Sequence, residues 1–349
     1  MIFGSEKNPK GPDWSKAQIV VKDLSIATLK FKVPPSSPPF PDRNWACEDD
    51  HFPLPDFNLI AQKYLEEYEN RHSTIIYSNS WKYRGLPVLQ GYCGGIRFFI
   101  TASRLINPAI NCTLYSPEEM ANAIIKEHDS SFISKHHKAR FDDPYDLTDI
   151  KWPNYLAPIN SQWVDKGNTR WLYCEAQPLV NGKTIITFYT PLSHDVYISF
   201  QFLISRSAIN AGNPYRIEDR VPLTNFTSLI DKIMDSVELD LPPEASELKT
   251  WNSKDSSDMP VIEASPDYIE LAKHVLYMWS AREYTDTKSP IKSDHRADKG
   301  DVSSFIESKI NPRPLPGSIP RGNIIYRYFD ANQSGEKDTN STSPLLPVE

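Results

Sequence analysis

Cysteine is scarce in this chain. Four stand among 349 residues, Cys47, Cys93, Cys112 and Cys174, at irregular spacings and with no CxxC pair. That excludes a disulfide-dense framework and a zinc ribbon, and reduced thiols in a cytoplasmic protein are the simplest expectation. Glycine is low too, 13 against 30 prolines, so connections are stiff and phosphate-cradling loops few. There is no Walker loop and no GxGxxG, hence no cofactor motif. Basic charge is not in excess. The net charge of -7 leaves nothing to replace counterions on phosphates and argues against nucleic acid as a partner. No apolar run approaches the roughly 18–20 residues of a membrane span. The longest, 196–204, is broken by Ser199 and Gln201. Residues 1–7 lack the basic end and apolar run of a secretory signal.

What the chain does have is apolar periodicity. Hydrophobic residues make up 39% and aromatics 11%, enough for a sizeable core in one large domain or two modest ones. Val196, Ile198, Phe200, Phe202 and Ile204 alternate with Tyr197, Ser199, Gln201 and Ser205, Leu203 being the one apolar exception, the pattern of a strand with one buried face. Phe226, Leu229, Ile230, Ile233 and Met234 fall at i, i+3, i+4, i+7 and i+8, the stripe of an amphipathic helix over 225–235, with Thr224 or Asn225 as its N-cap. The fold class is therefore α+β, with antiparallel sheets each covered by helices.

Along the chain, residues 1–15 read as a flexible N-terminus and 16–130 as a first α+β unit. That unit has strands at 18–22 and 25–33, an irregular proline-rich connection at 34–41, and a helix over 56–69. Strands follow at 74–77 and 96–101, and a helix opens at Ser116-Pro117-Glu118-Glu119 as a capping box. Residues 131–160 form a polar connection. A second unit spans 161–245: strands at 169–177, 184–189 and 196–204 make a meander turning at Asn181-Gly182 and near Ser193, followed by the helix and a short strand at 236–239. Residues 246–285 form a linker and a helix bearing Ile269, Ala272, Val275, Leu276 and Trp279 on one stripe. The tail, 286–349, reads as largely disordered, with 305–310 and 323–329 able to dock.

Hairpin, third strand, proline-containing loop, helix and short last strand, ending Ile233-Met234-Asp235-Ser236-Val237-Glu238-Leu239, resemble the end of the PsbP-like fold, which the bacterial DcrB-like proteins share. The likeness covers residues 168–241. It implies an α/β/α sandwich in a group whose members mostly bind other proteins and are mostly not enzymes, hence an adaptor, chaperone or toxin-neutralising role.

Candidate chemistry is thin. Gly91-Tyr92-Cys93-Gly94-Gly95 has the spacing of a nucleophile elbow with Cys in place of Ser, but 96–101 reads as a strand where the elbow needs a helix. A glycine-rich turn with a part-buried Cys93 is the plainer reading. Ser193-His194-Asp195 spells triad letters, yet consecutive residues cannot point at one another as a triad must. Cys47-Glu48-Asp49-Asp50-His51, and His136-His137 with Asp142-Asp143, hold metal-ligand types without CxxC or HxxxH spacing, so no metal site is assigned. The basic cluster 135–140 is largely cancelled by Asp142, Asp143 and Asp146. The prolines of 310–316 suit a polyproline-II ligand or a linker.

These residues lead to a non-enzymatic, cytoplasmic protein-binding module, an adaptor, chaperone or immunity-type protein whose partner is another protein. Two alternatives stand beside it. One is a thiol hydrolase using Cys93 with His194 or His274 as base. The other is a small-molecule or lipid pocket lined by Trp163, Trp171, Phe188 and Tyr189.

Overall fold

Period two becomes long strand in the computed structural model of the chain. It describes residues 4–37, 50–54, 65–68, 70–86, 91–106, 113–132, 154–179, 183–207, 217–243, 259–264, 266–283, 299–310 and 324–326, with the single positions 56, 108 and 245. After a 3-10 turn at Trp14–Lys16 come β1 (Gln18–Asp23), β2 (Thr28–Val33), β3 (Leu65–Glu67), β4 (Arg71–Arg84), β5 (Tyr92–Leu105) and α1 (Pro117–Phe132). Then follow β6 (Tyr155–Lys166), β7 (Thr169–Pro178), β8 (Thr184–Pro191), β9 (Val196–Arg206), α2 (Ile217–Arg220), α3 (Thr224–Asp235) and β10 (Glu238–Asp240). The described chain ends with β11 (Ile262–Ala264), α4 (Pro266–Glu283), α5 (Lys299–Ile310) and β12 (Ile324–Tyr326).

Seven strands form one antiparallel sheet in the order β3-β4-β5-β9-β8-β7-β6, and β1-β2-β10 form a second antiparallel sheet. β11 and β12 make a parallel pair. Alternation along each strand of the large sheet sends side chains to opposite faces, and both faces are packed. On one, Trp81, Phe98, Phe200 and Phe202 meet Leu29 and Phe31 of β2 and the α3 stripe. Phe98 stacks on Phe202 at 4.6 Å between centroids, and Phe31 meets Phe200 edge-on at 5.9 Å. On the other, Leu172, Cys174 and Tyr197 pack with Met120 and Ile124 of α1, Ala272 and Leu276 of α4, and Ile306 of α5.

The meander expected over 169–204 is present as β7-β8-β9, with no helix inside 184–204; its Asn181-Gly182 turn lies outside the described residues. The five residues of the expected α3 stripe are all buried. Its N-cap differs: Leu223 holds that place with no side-chain cap, and Asn225 Nδ2 donates instead to the Lys7 carbonyl at 2.9 Å. The last strand also differs. Ser236 Oγ donates to Ile233 O at 2.7 Å and accepts from Lys32 N at 2.9 Å, so the chain leaves α3 onto β2 and β10 joins the small sheet.

Two further expectations change, and the docking expected at 305–310 and 323–329 is met in part. The helix over 56–69 gives way at its end to β3, whose pairing of 65–67 with 72–74 of β4 overrides the local 3.6-residue pattern; residues 57–64 lie outside the described residues. Strands from 16–130 and from 161–245 share one sheet, because β5 pairs with β9 from Gly94↔Arg206 to Arg104↔Val196. In the stretch from 286, residues 305–310 fall in α5, which buries Val302 and Ile306, and 324–326 form β12.

Candidate functional site

Cys93 lies inside β5, not on a strand-to-helix turn. Gly94, at φ 148°, is required by close approach: a Cβ there would come within 2.3 Å of Ser205 O and 3.1 Å of Phe226 Cζ. The spacing read as a nucleophile elbow therefore reflects the contact of β5 with β9 and α3. Cys93 is fully buried, and burial raises its thiol above the usual range against a hydrogen bond from the Gly85 backbone. His194 stands at the far end of the same strand, where Leu105 N donates to Asp195 O at 2.9 Å. About twelve residues at ~3.3 Å each separate that end from Cys93, roughly 40 Å. His274 is exposed on α4, which packs against β6, at the opposite side of the sheet from β5. Neither histidine meets Cys93.

Ser193, His194 and Asp195 lock a turn. Ser193 Oγ donates to Asp195 Oδ1 at 2.8 Å and accepts from Val196 N at 3.0 Å, while Arg104 Nε donates to Asp195 Oδ2 at 2.8 Å. Burial pulls the Asp195 carboxyl up, but Arg104 and Ser193 outweigh it and hold the group below its ordinary range. His194 Nδ1 pairs with Thr113 Oγ1 at 2.8 Å. The four aromatics expected to line a pocket divide instead: Trp171 and Phe188 belong to the core facing β2, Tyr189 and Trp163 to the core under α1 and α4. Adjacent positions such as Phe188 and Tyr189 point to opposite faces of a strand, so the four share no cavity.

A polar cluster crosses the second core. Glu127 of α1 accepts from Tyr197 Oη and, at 3.4 Å, from Tyr189 Oη, with Arg71 Nε at 3.8 Å. His128 Nε2 lies 3.2 Å from Tyr189 Oη. Burial holds both tyrosines well above their ordinary range and, with the Arg71 charge, pushes His128 down to about 3. The hydroxyls stay protonated and the arginine balances the carboxylate, so the arrangement pins α1 to β8 and β9.

The small sheet presents a different surface. Leu24 N donates to Ala27 O at 2.9 Å to close the β1–β2 hairpin. In an antiparallel ladder alternate residues face the partner, so residues 22, 20 and 18 bond to β2 while 23, 21 and 19 face the other way. Asp23 confirms the parity, its N–H on Asp50 O at 2.8 Å and its carbonyl taking Phe52 N at 2.7 Å. Ile19 and Val21 thus turn their backbone groups to the sheet edge. Their side chains lie on the outer face, 56% and 49% exposed. Lys22 points inward instead, buried over the Phe52 ring with Nζ 2.6 Å from Asp50.

No protein-family model matches this chain, and no curated protein matches it. A solved structure from Bacteroides thetaiotaomicron is similar at 12% identity over 69% of this chain and 68% of that one, with a TM-score of 0.20. A likeness that slight carries no argument. Among the described residues no three His, Cys, Asp or Glu side chains gather as metal ligands, and no helix is long and apolar enough to cross a membrane. His51 pairs with Asp23 at 2.8 Å. Cys47, Cys112, the 135–143 clusters and the prolines of 312–316 lie outside the described residues.

Two features escaped sequence reasoning. The cluster around Glu127 draws on Arg71, Tyr189 and Tyr197 from three strands, and no spacing links them. The β1 edge did leave a signal: Gln18-Ile19-Val20-Val21-Lys22 puts apolar residues on both faces of a short strand, which a one-sided strand does not need.

Proposed function

We propose that this chain is a non-enzymatic protein-binding module of the cytoplasm, an adaptor, chaperone or immunity-type protein, and that it engages its partner along the edge of β1. The observation that supports this reading is the pair Ile19 and Val21. Strand addition draws affinity from unpaired main-chain groups and specificity from alternate side chains, and edges that reject it are blunted by charge, proline or covering segments. Here the outward side chains are β-branched and apolar. The PsbP-like likeness of 168–241 points the same way, as analogy. The test is a photo-crosslinking residue placed at Val21 in the native host, with a matched one at Lys232 on the wet side of α3. A protein adduct of defined mass at position 21 and none at 232 is expected. No adduct at 21, or equal labelling at both positions, removes the reading.

A further inference from the structure

We infer that the β1 edge selects an extended partner segment with two apolar residues at alternating positions and a carboxylate at the end lying against Lys16 and Lys32. The inference rests on the protein-binding reading above and specifies the partner's chemistry.

The open length of the edge sets the shape of the occupant. At one end the backbone of Asp23 is already engaged by residues 50–52, and at the other Ala17 N donates to Trp14 O at 3.0 Å within the 3-10 turn. Among the described residues, what remains open along this edge is 18–22, about 17 Å at ~3.3 Å per residue. Within it only Ile19 and Val21 direct backbone N–H and C=O outward, so one short extended segment fits. A second copy fits poorly. Two-fold antiparallel pairing of Ile19 with Val21 of a copy would drive each Trp14–Lys16 turn toward the other chain's residues 50–52.

Charge sets the occupant's polarity. On the outer face Val21 stands beside Lys30 and Ile19 beside Lys32. Lys30 is matched by Glu238 at 2.8 Å, and at the Asp23 end Lys22 and His51 answer Asp50 and Asp23. Lys32 and Lys16 are exposed and form no ion pair among the described residues. Asp13, the N-cap of the Trp14–Lys16 turn, feels the Lys16 charge, so two lysines stand against one carboxylate and the Ile19 end of the window keeps a positive excess in a chain of net charge -7. Like charge is rejected there and a carboxylate is favoured.

The probe is a phage-displayed library of random ten-residue peptides, selected on the full chain and then measured as fluorescein-labelled peptides by anisotropy. The expected consensus has β-branched or aromatic residues at i and i+2 and Asp or Glu beyond one of them. Val21→Pro removes an outward N–H that β2 does not use, so the fold stays and affinity falls by roughly tenfold or more. Lys16→Glu with Lys32→Glu, a surface change, should turn the selected end from acidic to basic. No enrichment, enrichment without a charge preference, or equal binding by Val21→Pro overturns the inference. A concentration-dependent dimer in sedimentation velocity that Val21→Pro dissolves overturns it in favour of a second copy. A crosslink at Val21 without the acidic preference would sink the inference and leave the protein-binding reading standing; no crosslink sinks both.

Discussion

Ile233 is fully buried in the middle of the α3 stripe, one turn before the chain crosses onto β2. Ile233→Ala removes methyl groups that no neighbour can replace and should cost about 2–5 kcal/mol, read as a lower urea midpoint. Phe200, fully buried, meets Trp171 edge-on at 5.1 Å. Phe200→Asp would leave an unpaired charge among aromatics and should abolish cooperative unfolding; unchanged thermal stability would place Phe200 outside the core. Thiol chemistry offers a third check. Cys93 and Cys174 are both buried, and burial pushes both thiols up. A raised pKa means less thiolate, so neither should react with iodoacetamide at neutral pH until urea unfolds the chain. Fast modification of native Cys93 would contradict its place inside β5.

At the scale of elements, α1 is held by chemistry as well as by packing. His128 sits at about 3 in the folded chain, pushed down by burial and then by the Arg71 charge. Unfolded, it titrates near its ordinary ~6.5. The unfolded chain therefore binds the extra proton between these values. The contribution of His128 to stability is complete above about pH 6.5 and is lost as pH falls toward 3, by roughly 1.4 kcal/mol per unit. His128→Gln should flatten this slope, measured as the difference in urea midpoint between pH 7 and pH 4.5 for the two proteins. An identical slope would show that His128 is solvated. Elements with a regular apolar period were legible in the sequence: α3 from its stripe, β9 from alternation, although Tyr197 and Ser199 on the face expected to be wet are buried as well. The helix expected over 56–69 was not, because a hairpin partner decides β3, and partners have no local signature.

Across the whole molecule, β5 and β9 join stretches on either side of the expected polar connection, whose last residues, 155–160, prove to be the buried start of β6. A chain cut within that connection leaves β3, β4 and β5 on one side and β6 to β9 on the other. It also takes β2 from α3 and β10, which share a core with it. Fragments 1–140 and 141–349 should each lack cooperative unfolding alone and should co-purify as a folded complex when expressed together. A sharp thermal transition in 141–349 alone would establish an independent domain there.

Local periodicity alone determined the α+β class, the meander β7-β8-β9, the α3 stripe and its buried residues, because each depends on which side of one element is apolar. Tertiary structure decided the rest. It placed β9 beside β5, sent β10 to β2 in place of the large sheet, and set Cys93 and His194 at opposite ends of one strand. It also gathered Arg71, Glu127, Tyr189 and Tyr197 from four elements, and left Ile19 and Val21 outside while turning Lys22 in. Strand order and facing depend on hydrogen-bond partners far along the chain, and burial depends on what packs above. A residue's neighbours in sequence encode neither.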